Sequence, residues 1–378
     1  MSKPNKKIAI VANTTWNIYN FRMNVIGKLL EEGYEVSVIA PVDEYIKYKE
    51  KFPEVRHVGL RFLSRDSKNP FKDLLLIEEL RRKYKRGGFS LILHYTHKPN
   101  IYGTLAAKIN GIPCISVVTG LGYSFINKGY INSITRWLYR MTQPFSKEII
   151  FENQDDLTFF RRLKIVDKNK GVAVKGCGVD LSFFRPSSNG IYEHKTILTF
   201  VGRLLKDKGI VEFVEAGKLL KKTYPSVELW VIGELDDNNP STIESDMLVD
   251  WVNNKDIVYH GFVKDIRKLI KKSNCVILPS YREGMPRIVL EGVAMGKPII
   301  TTNVPGCRET VEDNVTGYLV PAKDVQGLHE GMKKFMGLDI QQQRAMGTRG
   351  REKAELEFGE YKIANEIYEI VKIASDEI

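Results

Sequence analysis

Residues 278–300 combine a strand end, a loop and an amphipathic helix, and they carry two carboxylates eight positions apart. The apolar run 275–279 predicts a short buried strand, and helical spacing begins near Pro286. Glu283 therefore lies in the loop that enters the helix, and Glu291 lies between one and two turns inside it. Free N–H groups and the positive end of the helix dipole favour an anion such as a phosphate here. Taken alone, each glutamate also has an ordinary explanation, as a solvated loop acid or a surface helix residue.

Strands and helices alternate along both halves of the chain. The pattern predicts strands in the first half at 8–12, 36–40, 89–95 and 114–118, and a helix from 18 or 19 to 32. The second half repeats it, with strands at 196–201, 228–232 and 257–259 and a helix at 210–222. This alternation is typical of an α/β fold with parallel sheets, in which ligands bind at the carboxyl ends of strands.

The segment from Glu283 to Glu291 resembles the acid-seven-acid signature of the retaining, nucleotide-sugar-dependent glycosyltransferases of family 4, which have the GT-B fold. A second family element lies upstream in residues 200–209, Phe-Val-Gly-Arg-Leu-Leu-Lys-Asp-Lys-Gly, and carries Arg203 and Lys208. The resemblance implies two Rossmann-like, doubly wound domains that face a cleft. It places the donor site mostly on the second domain and the acceptor site mostly on the first.

The resemblance also implies roles for the donor-side residues. Arg203 and Lys208 would hold the donor diphosphate, Glu283 would contact the donor sugar, and Glu291 would accept hydrogen bonds from the ribose. Arg203, Lys208 and Glu283 are the predicted catalytic residues, because negative charge develops on the leaving phosphate during transfer. The remaining predicted donor contacts are Gly202, Gly233, Val263, Gly284, Met285, Pro286 and Arg287.

The first half resembles, more narrowly, the bacterial transferases that extend undecaprenyl-diphosphate-linked sugars. Residues 18–23, 69–71, 97–100 and 120–122 carry this resemblance. It implies an acceptor site at Asn20, Arg22, His97, Lys98 and Gly120. Many family members have a histidine where Thr119 stands, so the role often given to that histidine is not transferred to His94 or His97. His94 lies within the strand and is predicted to belong to the core.

Positive charge is concentrated in the first half. Residues 1–190 contain 31 Lys and Arg against 17 Asp and Glu, whereas the remainder contains 26 against 29. This asymmetry suggests an anionic partner, which could be a membrane surface, a diphosphate substrate or nucleic acid. The cations at 81–86 also complement a helix C-terminus. The stretch 130–145, with Trp137 and Arg140, suits either a membrane interface or packing on its own sheet.

Several classes of protein are disfavoured. No N-terminal segment resembles a signal peptide and no run is long enough for a membrane span, so we expect a cytoplasmic chain that associates peripherally with the inner face of the membrane. The four cysteines lack the spacing of zinc or redox motifs and are expected to be buried and reduced. We expect a UDP-sugar donor, no further cofactor and no metal ion.

We predict a first domain at 1–188, completed by a C-terminal helix at 359–378, and a second domain at 189–358. The predicted function is transfer of a sugar with α linkage to a lipid-linked saccharide. A GT-B epimerase or hydrolase that turns over its UDP-sugar without an acceptor is the alternative. Nucleic-acid binding is disfavoured, because a binder of phosphate backbones needs no ordered acid and cation positions.

Overall fold

The computed structural model describes residues 6–64, 69–121, 125, 130–187, 195–237 and 239–376, with the side chain of Ile131 excepted. The chain forms two compact units. One contains the residues up to Gly178 together with those from Glu360 onward, and the other spans Val179–Gly359.

The first unit is built on a parallel sheet of seven strands in the order β3-β2-β1-β4-β5-β6-β7. The strands are β1 (Lys7–Val11), β2 (Glu35–Ala40), β3 (Arg56–Gly59), β4 (Leu91–Tyr95), β5 (Cys114–Val118), β6 (Glu148–Phe151) and β7 (Val172–Ala173). The helices are α1 (Thr15–Phe21), α2 (Met23–Glu31), α3 (Tyr48–Lys51), α4 (Pro70–Gly87), α5 (Thr104–Ile109), α6 (Tyr130–Thr142) and α7 (Gln154–Arg162).

Alternate strand residues of this sheet face two different helical layers. Ile8 and Ile10 pack in the cluster that includes α2, whereas Ala9 belongs to the cluster with α4 and α5. On β5, Cys114 contacts the α4 and α5 cluster and Val118, four residues later, contacts the α6 and α7 cluster. Because residues four apart on a strand share a face, α4, α5, α6 and α7 cover one side of the sheet.

The second unit has a parallel sheet of six strands in the order β10-β9-β8-β11-β12-β13. The strands are β8 (Ile197–Val201), β9 (Glu228–Ile232), β10 (Val258–Tyr259), β11 (Cys275–Leu278), β12 (Ile299–Thr302) and β13 (Gly317–Val320). The helices are α8 (Ile210–Lys221), α9 (Ser245–Asn253), α10 (Arg267–Lys272), α11 (Arg287–Ala294), α12 (Val325–Met336) and α13 (Ile340–Glu357). The chain ends with α14 (Glu360–Asp376), which packs against α2 of the first unit.

Both sheets are doubly wound, and the order of the strands reverses at one point in each. β1 and β4 are neighbours at this switch in the first unit, and β8 and β11 are neighbours in the second. The loops that leave such neighbouring strands form a crevice at the carboxyl edge of the sheet. Each unit therefore has one preferred position for a ligand.

The change of unit at Gly178 comes ten residues before the predicted boundary at 188, and residues 188–194 lie outside the described residues. The backbone N–H of Val179 donates to Phe358 O at 2.8 Å, and Phe184 is buried in the core of the second unit. These contacts assign the intervening residues to the second unit. Gly359, predicted to begin the returning segment, also belongs there.

Two predicted helices differ from the observed ones. The single helix predicted from about residue 18 to 32 is wrong, because it is interrupted at Arg22, whose backbone (φ −125°, ψ 1°) leaves the helical region between α1 and α2. The sequence from residue 101 to 109 also predicts a helix, but the structure begins it as a π-helical turn at Pro99–Gly103, before α5. Gly103 is needed at this turn, since a Cβ there would lie 2.7 Å from the His94 ring. His94 is buried, as predicted.

None of the helices within the described ranges has the length and apolarity needed to cross a membrane.

Candidate active site

The loop between β11 and α11 is held rigidly by backbone contacts. Pro286 caps α11, which begins at Arg287, one residue later than the predicted start. The N–H of Glu283 donates to Pro305 O at 3.2 Å. Gly306 has φ +82°, and a Cβ at this position would lie 2.4 Å from the carbonyl oxygen of Glu283. Only glycine fits here without movement of the loop, so the backbone around Glu283 is fixed by its neighbours.

A second loop, which leaves β8, is bound to the same segment. Its 3₁₀ turn Lys206–Lys208 ends at Gly209, where φ is +74° and a Cβ would lie 2.2 Å from Pro279 O. The carbonyl of Asp207 accepts a hydrogen bond from the N–H of Tyr281 at 2.9 Å. The loops that follow the two neighbouring strands are thereby joined backbone to backbone.

This junction brings Lys208 and Glu283 together. Lys208 Nζ lies 2.5 Å from Glu283 Oε1, which also accepts a hydrogen bond from Ser280 Oγ at 2.7 Å. The two charged side chains are 24% and 13% exposed, so the pair is accessible at one edge. It also lies beside the start of α11, where the helix dipole favours negative charge. The sequence motifs assigned both residues to the donor site but did not predict their direct contact.

Arg203 lies at the end of β8 but forms a different ion pair. Its guanidinium binds Asp236, which follows β9. The Gly202 N–H donates to Ile232 O at 2.9 Å, and a Cβ on Gly233 would lie 1.9 Å from Gly202 O. Close contact between the two glycines thus sets the separation of the β8 and β9 loops. Asp236 was missed by sequence reasoning, because it follows the strand as one of several acids with no motif around it.

The second carboxylate of the signature is buried within α11. Glu291 is 8% exposed, and Arg287 Nε donates to its Oε1 at 2.8 Å, one helical turn away. Burial raises the pKa of the Glu291 carboxyl, and the nearby Arg287 guanidinium opposes this shift. A buried carboxylate with a single cation beside it is a well-placed acceptor for hydroxyl groups.

The remaining predicted donor contacts surround these groups. The Gly233 N–H donates to Gly261 O at 2.8 Å, and Val263, two residues after Gly261, is half-buried. Met285 is buried and belongs to the core of the unit. Gly284 lies between Glu283 and Met285, in the segment against which Gly306 packs.

A second polar contact that the sequence did not predict holds the loop between β11 and α11. Tyr281 Oη donates to Glu212 Oε1 of α8 at 2.6 Å, and Lys323 Nζ lies 4.6 Å from the Tyr281 ring centroid. The sequence offered no signal for Glu212, since an acid in the first turn of a helix is common. This contact ties the Glu283 loop to α8.

In the first unit, Arg22 lies inside the protein rather than at its surface. It is 3% exposed, its NH2 group donates to Glu152 Oε1 at 3.2 Å, and its guanidinium carbon lies 4.3 Å from the ring centroid of Tyr95. Burial raises the pKa of Glu152, and the Arg22 charge opposes this. The pair links α1 to the ends of β4 and β6. The acceptor role of Arg22 stays a prediction.

His97 and Lys98 also have partners within the unit. The His97 ring lies 3.0 Å from Tyr139 Oη and nearly parallel to the ring of Phe125. Burial lowers the pKa of His97 to about 4, so the ring is neutral at pH 7. Lys98 Nζ donates to Asp73 Oδ1 of α4 at 2.7 Å.

Of the two other predicted acceptor residues, Asn20 bonds to the backbone of its own helix and Gly120 has a positive φ angle. Asn20 Nδ2 donates to the carbonyl of Trp16 at 2.9 Å, one turn back in α1. Gly120 has φ +108°, a conformation that favours glycine. Thr96, between β4 and His97, has φ +73°, which is rare outside glycine and was not predicted. Gly122, part of the same predicted loop, lies outside the described residues.

Comparison with known proteins identifies the family. A model described as "Glycosyltransferase Family 4" matches residues 23–183, and one described as "Glycosyl transferases group 1" matches residues 183–353. The chain is also 31% identical over 344 residues to the N,N'-diacetylbacillosaminyl-diphospho-undecaprenol alpha-1,3-N-acetylgalactosaminyltransferase of Campylobacter jejuni, with 86% of this chain and 88% of that protein covered. The chain belongs to glycosyltransferase family 4.

One further relative agrees with the assignment, and one solved structure bears on the fold. The UDP-Gal:alpha-D-GlcNAc-diphosphoundecaprenol alpha-1,3-galactosyltransferase of Escherichia coli is 26% identical over 268 residues, or 67% of this chain and 68% of that protein. The structure of Anabaena Alr3699/HepE in complex with UDP superimposes with a TM-score of 0.78, at 16% identity, and covers 97% of this chain and 99% of that one. This likeness confirms the GT-B fold.

The four cysteines of the transferase are free and buried, as predicted. Within the residues that the structure describes, no group of three or more His, Cys, Asp or Glu side chains is placed to hold a metal ion.

Proposed function

We propose that this family 4 enzyme transfers a hexose or N-acetylhexosamine from a UDP-sugar to a saccharide carried on undecaprenyl diphosphate. The new linkage is α, formed with retention, and the product enters a bacterial surface polysaccharide or a glycoprotein glycan. The observation that carries the donor half is the meeting of Lys208 and Glu283 beside the start of α11. The acceptor half rests on the names of the Campylobacter and Escherichia relatives, both of which act on undecaprenol diphosphate sugars.

The donor diphosphate would replace the two carboxylates that pair with Arg203 and Lys208. Arg203 pairs with Asp236 and Lys208 pairs with Glu283, so each cation already lies in a partly buried, charged setting. A diphosphate offers more negative charge than either carboxylate and would compete for both cations. Once Lys208 turns to the phosphate, Glu283 can accept hydrogen bonds from the sugar hydroxyls.

The same cations would also stabilise the transition state. As the bond from the anomeric carbon to the diphosphate breaks, negative charge grows on the leaving phosphate oxygen. The backbone that carries Lys208 and the start of α11 is fixed by the glycine contacts at Gly209 and Gly306, and the contact of Gly233 with Gly202 fixes the backbone beside Arg203. Donors fixed in advance stabilise developing charge without reorganisation. Side chains and backbone would then neutralise the diphosphate without a metal ion.

Glu291 would bind the ribose of UDP. Its carboxylate is buried, faces one cation and lies on the same short helix as the phosphate-binding N-terminus. Val263 would contact the nucleobase through its backbone, in the segment that follows β10.

The acceptor would lie against the first unit, at the ends of β1, β4 and β5. There, the neutral His97 ring supplies a hydrogen-bonding group rather than a charge, and Lys98 supplies a cation shared with Asp73. Because the acceptor carries a polyprenyl chain, the enzyme would work at the cytoplasmic face of the cell membrane as a peripheral protein. The excess of cations in residues 1–190 suits this anionic surface.

The test is transfer from a panel of UDP-sugars to short-chain polyprenyl-diphosphate sugars, with the anomeric configuration of the product determined by NMR. We expect an α-linked product from one donor, and a loss of about 10²- to 10³-fold in kcat for Glu283→Gln and Lys208→Ala. Lys206→Ala is the matched control, since Lys206 lies two residues away and is exposed. Consumption of the donor in water alone, with no transfer to any lipid acceptor, would reject the proposal and favour an epimerase or hydrolase.

A further inference from the structure

The helical layer formed by α4, α5 and α6 has an unusually apolar outer surface. Of 21 large hydrophobic side chains that are exposed among the described residues, nine lie between residues 71 and 145. We call these nine the apolar face: Phe71, Leu74 and Leu75 of α4, Ile109 of α5, Tyr130, Ile134, Trp137 and Met141 of α6, and Phe145 just beyond it. Exposed apolar residues gathered on one helical layer in this number mark an interaction site.

On α6 the exposed residues form one stripe. Tyr130, Ile134, Trp137 and Met141 follow each other at spacings of four, three and four, so they lie on one side of the helix. Tyr139, on the opposite side, is fully buried and packs against Phe160. The helix therefore already has an inward apolar side that anchors it to the sheet, and its outward stripe serves no packing within the first unit.

Most of this part of the chain, from the middle of α4 to the end of the apolar face, contains no acidic residue. Residues 80–147 include 11 Lys and Arg and no Asp or Glu. At the frequency of the whole chain, 46 acids in 378 residues, a segment of this length would contain about eight. Lys72 and Lys108 are exposed beside the apolar face, and Lys108 Nζ lies 5.2 Å from the ring centroid of Phe145.

We infer that the apolar face is the surface by which this enzyme docks on an anionic lipid bilayer. Exposed Trp and Tyr next to cations are suited to the interface between lipid headgroups and acyl chains, where one end of a side chain is apolar and the other polar. The absence of acids from residues 80–147 leaves α5 and α6 without groups that anionic headgroups would repel. The acids of α4 in this region, Asp73, Glu78 and Glu79, are each paired with a cation. An anionic bilayer combines negative headgroups with an apolar interior, so it matches both the cations and the exposed apolar side chains of this surface.

The inference rests on the proposed function, because it gives the predicted acceptor residues a position relative to the lipid. His97 contacts Tyr139, which lies on α6 between Trp137 and Met141. Lys98 contacts Asp73, which lies on α4 between Phe71 and Leu74. Tyr139 and Asp73 lie on the inward sides of α6 and α4, so docking of the apolar face would hold His97 and Lys98 about one helix diameter, roughly 10 Å, from the membrane surface.

The first experiment is co-sedimentation of the full-length protein with vesicles of phosphatidylcholine alone or mixed equally with phosphatidylglycerol. We expect binding to the anionic vesicles that weakens as salt is added. The double variant Trp137→Gln/Met141→Gln should bind about tenfold more weakly, since two apolar side chains no longer enter the interface. The matched control Val249→Gln/Leu356→Gln changes two equally exposed apolar residues of the second unit and should bind like the parent.

Charge is tested by Lys72→Gln/Lys108→Gln. Loss of two cations near the surface should weaken binding to anionic vesicles by roughly tenfold or more and flatten its dependence on salt. Every substituted residue is exposed, so thermal unfolding should be unchanged. If the α6 variant and the control bind vesicles equally, the inference is overturned. It is also overturned if the α6 variant only abolishes self-association, measured by sedimentation velocity.

A transfer assay distinguishes the two proposals. With a short-chain, water-soluble acceptor the α6 variant should retain the rate of the parent, whereas with undecaprenyl acceptor in anionic vesicles it should be about tenfold slower. Equal loss with both acceptors would overturn the docking role. Vesicle binding that depends on the apolar face, without transfer to any lipid acceptor, would instead reject the proposed function and leave the docking surface supported.

Discussion

The two units share a doubly wound topology, but the ion pair near the switch point is accessible in the second unit and buried in the first. In the second unit, Lys208 and Glu283 pair at an accessible edge, between loops fixed by Gly209 and Gly306. In the first unit, Arg22 and Glu152 are both less than 10% exposed, and the pair serves to join α1 to the sheet. The same strand order thus supports an accessible ion pair that a ligand can open and a buried pair that holds secondary structure. The strand order determines where charged groups gather, and their burial determines whether they are accessible to a ligand or serve to hold secondary structure together.

Breaking the buried pair should have the largest effect. Arg22→Met leaves the Glu152 carboxyl buried without its cation, which should lower the free energy of unfolding by about 3–5 kcal/mol, measured with urea. Adding Glu152→Leu removes the unpaired acid and should restore most of this loss. The folded double variant then tests the predicted acceptor contact, because a raised KM for the acceptor would support it and an unchanged KM would contradict it.

Gly306→Ala tests whether the donor loops are as tightly fixed as the contacts indicate. The new Cβ would lie 2.4 Å from Glu283 O in a left-handed backbone conformation, so we expect about 2–4 kcal/mol of destabilisation together with loss of donor binding. Gly111→Ala is the control. Gly111 has φ +68° but no atom within 4 Å of the added Cβ, and the cost there should be about 1 kcal/mol without loss of activity. Equal costs at both positions would contradict the account.

The stability of the first unit should fall in acid because His94 is buried in its neutral form. Burial lowers the pKa of His94 to about 3, while the unfolded chain titrates near 6.5, so between these values the unfolded state binds more protons. The stabilisation is therefore present above pH 6.5 and lost as pH falls toward 4, by about 2–3 kcal/mol. Urea unfolding of the parent and of His94→Gln across this range measures the effect. A slope that is identical in both proteins would exclude His94 as its source.

Arg287→Ala should have the smallest effect of the four. Glu291 loses the guanidinium 2.8 Å away, its pKa rises further, and we expect KM for the donor to rise about tenfold with kcat nearly unchanged. Arg344→Ala, an exposed arginine on α13, is the control. A fall in kcat at constant KM would assign Arg287 to the transition state rather than to the position of Glu291.

The donor side was largely predictable because its residues lie close together in the sequence. Glu283 and Glu291 are separated by one loop and one helix, and their spacing alone fixes where each lies. The partners of these groups were less accessible to sequence reasoning. Asp236 lies 33 residues from Arg203, and Glu212 lies 69 residues from Tyr281, so only the folded sheet brings each pair together.

The first unit was less predictable for a related reason. Arg22 was predicted to contact the acceptor and to lie on a continuous helix. Its partner Glu152 lies 130 residues away, and the helix breaks where the arginine turns inward. His97 was predicted to lie at the carboxyl edge of the sheet, and it follows β4 there, whereas its role in acceptor binding stays a prediction. Its contact with Tyr139 depends on where α6 packs, which no local pattern encodes.

The close approach of Gly178 and Glu360 has an architectural consequence. A Cβ on Gly178 would lie 2.5 Å from Glu360 Cα, so the chain leaves the first unit and re-enters it at almost the same point. Val179–Gly359 is therefore an insertion whose two ends are adjacent. Such a segment can be removed, or replaced by the corresponding segment of a relative, with one short splice and no change to the order of strands that remain. The order of the chain therefore lets the second unit be exchanged as a single continuous segment.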